Sequence, residues 1–263
     1  MQLAEFISTH VPALEQDEVR HNLILGILAR AANAENPQLM TWTLGAPGAC
    51  AIKTPGRGLI LADLTRGQCR RLAETTLGLD YPDVAGLGLA PKWFTERAGE
   101  LGLSFAAPIP QRIHVLRGPP VRPSAQGRAR EVVAADGPLL ADWLMAFWRE
   151  AVPHESIVPR AELERMAGSG RYLFWVVDGE PVSLAGIARR TRNIAAIAPV
   201  YTPPDLRGRG HAKAVTAALA ERLLAEGKTA VCLYTDLRNP ASNRCYAKIG
   251  FAPVCDAWAY LRQ

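Results

Sequence analysis

Residues 200–212 read Val200-Tyr201-Thr202-Pro203-Pro204-Asp205-Leu206-Arg207-Gly208-Arg209-Gly210-His211-Ala212. The β-branched and aromatic opening predicts the end of a strand, and the paired prolines stop it. Two glycines then predict a tight turn. From Gly210 to Glu226 the apolar spacing predicts a long helix, closed by Gly227 as its C-cap. A strand that feeds a helix through such a turn leaves the first N–H groups of the helix unpaired and pointing out together. With the positive end of the helix dipole they form an anion site, and Arg207 and Arg209 add charge. Three phosphate-binding patterns compete here. A Walker A loop needs Gly-Lys-Ser/Thr, but Gly210 is followed by His211 and Ala212. A dinucleotide fingerprint starting at Gly208 needs a small residue at 213, which is Lys213. The third, R-x-x-G-x-A, is met by Arg207, Gly210 and Ala212. Alone it is a weak pattern, and a glycine turn with solvated arginines is the plain alternative.

The chain continues, after one helix, with Leu233 to Phe251, LYTDLRNPASNRCYAKIGF. The series V-x-T-P-P, R-G-R-G-x-A and N-P-A-S-N-x-x-Y-x-K-I-G-F, in that order, resembles the GNAT superfamily of acetyl-CoA-dependent N-acetyltransferases. The resemblance covers about Arg130 to the C-terminus. It implies that the turn amides of Arg207, Gly208, Arg209, Gly210, His211 and Ala212 hold the pyrophosphate of acetyl-CoA. It further implies that Val200, Tyr201 and Thr202 bond the pantetheine arm and orient the thioester. Asn239 matches a cofactor contact after the next strand, Asn243 lies in the same motif, and Tyr246 matches the tyrosine near the sulfur.

Acetyl transfer to an amine needs a neutral amine, a stabilised carbonyl oxygen and a proton for the leaving thiolate. A backbone N–H near Tyr201 serves the second need as an oxyanion donor. Tyr246 suits the third, because a phenol with a pKa of about 10 stays protonated at neutral pH; its bland reading is a core aromatic beside Ile249 and Phe251. For the base, Glu150 and Glu155 follow the helix that carries Trp143 and Trp148, and Asp236 ends a strand; each also reads as a solvated or capping carboxylate. His154 and His211 titrate near neutrality but read more simply as surface histidines. The run Arg189, Arg190, Arg192 reads as a solvated edge that discourages strand pairing, and contact with an acidic acceptor is the functional alternative. No G-x-S-x-G elbow accompanies the five histidines, so a nucleophilic triad is not expected.

Working outward, 263 residues predict roughly two domains. The linker is the Pro-, Gly- and Arg-rich stretch from Arg117 to Arg130, which gives a first domain at 1–120, a linker at 121–130 and a second domain at 131–263. Residues 1–120 hold 11 Lys/Arg and 11 Asp/Glu, so the second part carries 19 against 14 and the whole net charge of +5. Phosphates of a cofactor account for that excess. A nucleic-acid partner is not expected, since no aromatic-interleaved basic stripe accompanies it. Five cysteines without a C-x-x-C pair argue against a disulfide framework or a zinc site, so no metal is expected. The acidic N-terminus is unlike a signal peptide, and Leu23 to Ala29 is too short to span a bilayer of ~20 residues. No membrane is expected, and the predicted location is cytoplasmic.

The predicted fold class is α+β with a mixed sheet: tandem GNAT-like domains, each a central, mostly antiparallel sheet flanked by helices. Helices are predicted from Asp17 to Asn33, at 66–77, 91–100, 138–151, 161–167, 210–226 and 239–248. Strands are predicted at 39–45, 49–54, 58–64 and 112–116, in a 171–190 hairpin turning at Asp178-Gly179, at 193–202, at 230–235, and as a last pair at 251–255 and 257–263. In the first domain the matching strand–helix junction, LADLTRGQCRRLAE, has one glycine and no cradle. It resembles the degenerate half of two-domain GNAT proteins, which implies a non-catalytic half that packs on the other and shapes the acceptor site. The expected function is an acetyl-CoA-dependent N-acetyltransferase acting on a primary amine of a small-molecule or peptide acceptor, by direct attack in a ternary complex. The alternative is an acetyl-CoA-binding regulator with weak turnover.

Overall fold

Asp17 opens a helix by accepting from the Arg20 N–H, and Thr65 opens another by accepting from Gln68; such caps fix where the first-half helices begin. The structure is a computed structural model that describes residues 2–153 and 158–263. In chain order the elements are α1 (Leu3–Leu14), α2 (Glu18–Ala32), β1 (Met40–Thr43), β2 (Cys50–Lys53), β3 (Leu59–Leu61), α3 (Arg66–Thr75), β4 (Asp83–Leu87), α4 (Ala90–Glu100) and β5 (Ile109–Leu116). There follow β6 (Arg128–Glu131), α5 (Gly137–Ala151), α6 (Arg160–Arg165), β7 (Tyr172–Val177), β8 (Glu180–Arg190), β9 (Ile194–Tyr201), α7 (His211–Ala225), β10 (Ala230–Asp236), α8 (Pro240–Ala247) and β11 (Ala252–Leu261).

Two compact units result: residues 1–114 with 234–240 and 253–263, and residues 115–233 with 241–252. The sequence division assigned all of 131–263 to the second domain, whereas the contacts group the end of β10 and most of β11 with the first unit. The reason is pairing: Ala257 to Leu261 run antiparallel to Leu87 to Asp83 of β4. β11 is one continuous strand where the sequence predicted two, and β6 lies partly in the predicted linker.

In the first unit, β1, β2 and β3 pair antiparallel in sequence, and β4 lies parallel to β3. Alternation along β2 divides the core between the faces of the sheet. Cys50 and Ile52 face Phe6 and Leu14 of α1 and Ile24 and Leu28 of α2, while Ala51 faces Leu72 of α3 and Phe94 of α4. The second unit repeats the plan. Strands β7, β8 and β9 pair antiparallel, β10 lies parallel to β9, and β6 adds an edge beside β7. The Asp178-Gly179 turn has φ of 49° and 90°, the double positive φ that a two-residue hairpin demands. On one face Leu140 and Leu144 of α5 cover Phe174, Leu184 and Tyr201; on the other Val215, Leu219 and Leu223 of α7 cover Leu173, Ile197 and Val231. Each unit is therefore a sheet between two helix layers, in the order two helices, three antiparallel strands, helix, parallel strand, helix. No described helix is long and apolar enough to cross a membrane.

Candidate active site

The site is built where β9 ends and α7 begins. The β9–β10 register runs from Ala230↔Ile194 to Cys232↔Ala196, and β9 continues to Tyr201 with β8 on its other side. The outer edge of its last residues is thus left to bond something other than β10. Past the strand, Gly208 has φ of 81° and Gly210 of 86°. Gly210 is the N-cap of α7 and supplies no side-chain cap, and Ala214 N–H is the first to return, to the Gly210 carbonyl at 3.1 Å. The N–H groups of His211, Ala212 and Lys213 have no intrahelical acceptor. Open space surrounds the position of a Cβ at Gly208. A phosphate fits this turn by charge, by donor geometry and by room.

His211 is buried, and its Nδ1 has no hydrogen-bond partner. Burial, with the neighbouring Arg209 charge, lowers its pKa and keeps the ring neutral. The backbone N–H of His211 is the part that suits an anion.

The end of β9 is held by side chains. Ser183, fully buried on β8, donates its hydroxyl hydrogen to the Tyr201 carbonyl at 3.0 Å. Its oxygen lies 2.8 Å from the Thr202 hydroxyl, which must then be the donor of that pair. Arg207 donates from Nε to the Thr202 carbonyl at 2.9 Å and from Nη2 to both Glu150 oxygens, at 2.9 and 2.7 Å. Its guanidinium carbon lies 5.9 Å from the centroid of the Tyr201 ring, whose other neighbour is Trp143 at 6.1 Å. Burial, then the Glu150 charge, raises the Tyr201 pKa. Val200 packs against the cluster under α7. Both partners of the Glu150–Arg207 pair are 47% exposed, so about 0–1 kcal/mol is its scale as a contribution to stability.

These contacts bring Tyr201, Thr202, Arg207 and Glu150 together. They also change two expectations: Glu150, the candidate base, has both oxygens engaged, and Arg207 spends Nε and Nη2 inside the protein. Tyr246 lies on α8 in the cluster with Val215, Leu219 and Phe251, its ring 6.1 Å from that of Phe251. Burial raises its pKa, Cys245 adds to the rise, and a hydrogen bond with Ser242 opposes it. Tyr246 and Tyr201 thus belong to clusters on opposite faces of the second sheet. Asn243 is half-buried on α8, and Asn239, exposed just before α8, belongs by contacts to the first unit. Asp236, also in the first unit, is held below the usual carboxylate range by side-chain hydrogen bonds from Arg238. His154 and Glu155 lie outside the described residues. The Arg189, Arg190, Arg192 run is not the unpaired edge expected: β8 lies between β7 and β9, Arg189 and Arg190 stand opposite Ala196 and Ala195 of β9, and the Arg190 side chain pairs with Glu226 at 2.7 Å.

Sequence reasoning missed Ser183 and the Glu150–Arg207 pair. Ser183 sits in a strand of alternating residues with no motif around it, and the pair is separated by 57 residues. No group of three or more potential metal ligands is found among the described residues.

The equivalent junction of the first unit is closed. Thr65 and Gln68 form a reciprocal capping box at the start of α3, so side chains already bond two of the N–H groups at this helix start. The β3–β4 register extends to the last residue of β3, Leu61↔Gly86. A Cβ on Gly86 would lie 2.8 Å from the Leu61 carbonyl oxygen, so the two strands stay in close approach there.

Residues 138–251 match the sequence model of the Acetyltransferase (GNAT) family. No curated protein matches the chain. Among solved structures, the chain is similar to a GCN5-related N-acetyltransferase from Kribbella flavida, at 14% identity over 93% of this chain and 94% of that one, with a TM-score of 0.62. It is similar to a Drosophila protein at 13% identity, over 99% and 97% of the chains, with a TM-score of 0.69. It is also similar to a tandem GNAT protein from the clavulanic acid biosynthesis pathway, at 14% identity over 91% and 87%, with a TM-score of 0.54. At such identities these likenesses speak to the fold, which is the tandem arrangement expected from the sequence. Residues 138–251 are thus a GNAT-family acetyltransferase domain, within a chain whose fold is shared with solved GNAT structures.

Proposed function

We propose that the protein is an acetyl-CoA-dependent N-acetyltransferase with one cofactor site, in its second unit, acting in the cytoplasm on a primary amine of a small-molecule or peptide acceptor. The observation that carries this is the junction of β9 and α7: a strand end free along one edge, leading into a helix N-terminus that no side chain caps. The pyrophosphate is assigned to the amides from Arg207 to Ala212. The pantetheine arm is assigned to Val200, Tyr201 and Thr202, with Asn243 as a further cofactor contact. In a ternary complex the neutral amine attacks the thioester carbonyl, and a backbone N–H near Tyr201 takes the developing oxyanion. The C–S bond breaks, the thiolate takes a proton, and the ammonium proton leaves to a carboxylate or water. Tyr246 is the assigned donor to sulfur, and Glu150 is the carboxylate assigned to the acceptor side. The domain division proposed is a non-catalytic first part and a catalytic second.

The second reading, a regulator that binds acetyl-CoA with little turnover, is favoured by the engaged Glu150 and the buried Tyr246. One assay separates the two. Acetyl-CoA raises the melting temperature of either, but only an enzyme releases free thiol when a panel of amines is added. Absence of protection by acetyl-CoA overturns both readings.

A further inference from the structure

The geometry around Arg207 points to a role that the R-x-x-G-x-A pattern does not suggest. Arg207 belongs to the anion turn by position, yet its side chain is engaged elsewhere: Nε holds the Thr202 carbonyl and Nη2 holds Glu150. Thr202 lies one residue past the last β8–β9 pair, Leu184↔Tyr201. Its carbonyl therefore has no ladder partner, and the Arg207 bond replaces one. Glu150 stands in the last turn of α5, where a negative charge is disfavoured by the helix dipole. A cation brought from elsewhere resolves that conflict, and Arg207 supplies it with a fork matched to a carboxylate. One guanidinium thus ties the C-terminal end of α5 to the end of β9 and lies against the Tyr201 ring between them.

We propose that Arg207 is a positioning residue that fixes the Tyr201–Thr202 strand end, with Glu150 as its anchor, and that its side chain is not a ligand of the cofactor phosphates. The consequence for catalysis rests on the acetyl-transfer reading given above: the strand end carries the thioester, and displacement of reacting groups by about an ångström costs on the order of 10²-fold in rate.

The test compares the full-length wild type with Arg207→Ala, Arg207→Lys, Glu150→Ala and the Arg207→Ala/Glu150→Ala double variant. Both side chains are half exposed, so folding is not at risk. Amide exchange of Val200, Tyr201 and Thr202 is expected to quicken tenfold or more in both alanine variants, with partial rescue by lysine. The kcat for thiol release is expected to fall at least tenfold in each, by the same factor from pH 6.5 to 9, and the double variant should be no worse than the poorer single one. The dissociation constant for acetyl-CoA, measured by calorimetry, should rise by the same factor in Arg207→Ala and Glu150→Ala, since both loosen the strand end assigned to the pantetheine arm. The proposal is overturned if Arg207→Ala weakens acetyl-CoA tenfold or more while Glu150→Ala leaves exchange and affinity unchanged, which is the signature of a phosphate ligand. If the wild type releases no thiol, the transfer reading fails, and the exchange rates alone still decide the role of Arg207.

Discussion

Thr65 and Gln68 cap each other at the start of α3: Gln68 Oε1 accepts from the Thr65 N–H at 2.8 Å, and Thr65 Oγ1 accepts from the Gln68 N–H at 3.4 Å. At the matching place in the second unit, Gly210 offers nothing but backbone. One helix start is capped by side chains, and the other has no side-chain cap. The same topological position therefore does opposite things in the two units.

Calorimetric titration with acetyl-CoA should accordingly give one site per chain. Thr65→Ala should lower the unfolding free energy by about 1 kcal/mol, the usual worth of such a cap, read from the urea midpoint, and should leave the stoichiometry at one. Two sites per wild-type chain would contradict the closed junction.

Gly210→Ala should cripple cofactor binding. A φ of 86° costs an alanine roughly 1–2 kcal/mol, and relief of that strain moves the very amides that face the phosphate. A loss of about tenfold in acetyl-CoA affinity follows from that energy. Thermal protection by acetyl-CoA should shrink while the melting temperature of the free protein changes little.

Tyr246→Phe should slow thiol release by about 10²-fold or more, the range typical of a lost general acid, with thermal protection by acetyl-CoA intact. Because burial raises the phenol's pKa, the group stays protonated across the neutral range, and the wild-type rate should show no loss from its ionisation below pH 10. Normal turnover by the phenylalanine variant would remove Tyr246 from the chemistry and leave it as a core ring.

Stability should fall as the solution is acidified below about pH 6.5. His10 is fully buried, with Nδ1 accepting from the Gly48 N–H at 3.0 Å and Nε2 left to donate to Thr43 at 2.8 Å. Burial lowers its pKa, and also those of His21, His114 and His211. The unfolded chain, with ordinary histidines near 6.5, then binds more protons than the folded one, so unfolding gains as pH falls through that value. Carboxylates held low by arginines, such as Asp136 with Arg130, act in the same direction only nearer pH 4. The urea midpoint should be lower at pH 5 than at pH 7.5, and His10→Gln should narrow the gap. Equal midpoints in the wild type would refute this.

The parts of the fold legible in sequence were those with local chemistry. The α7 helix was bounded by Gly210 and Gly227 and the hairpin by Asp178-Gly179, because positive φ selects its residues. Elements held mainly by tertiary partners were not legible. β4, Asp83–Leu87, has two apolar neighbours broken by a glycine and takes its order from β3 and β11. β6 is Arg-Ala-Arg-Glu, a charged edge that resembles a linker until Leu173 to Val176 lie beside it. α1 carries Pro12 within it and buries Phe6, His10 and Leu14 only because α2 and β2 are there. At the site, the turn could be read from glycines, whereas the Arg207–Glu150 contact joins two elements that no local pattern connects.

The pairing of β11 with β4 has a consequence for how the chain comes off the ribosome. Residues 257–261 are synthesised about 170 residues after the strand at 83–87 that they pair with. The first unit therefore waits, with one edge of β4 open, until residues 257–261 have emerged. Domain-by-domain folding during synthesis, the usual course for tandem proteins, is closed to it. A cut at the linker would leave the second fragment holding residues 234–240 and 253–263, which belong to the first unit.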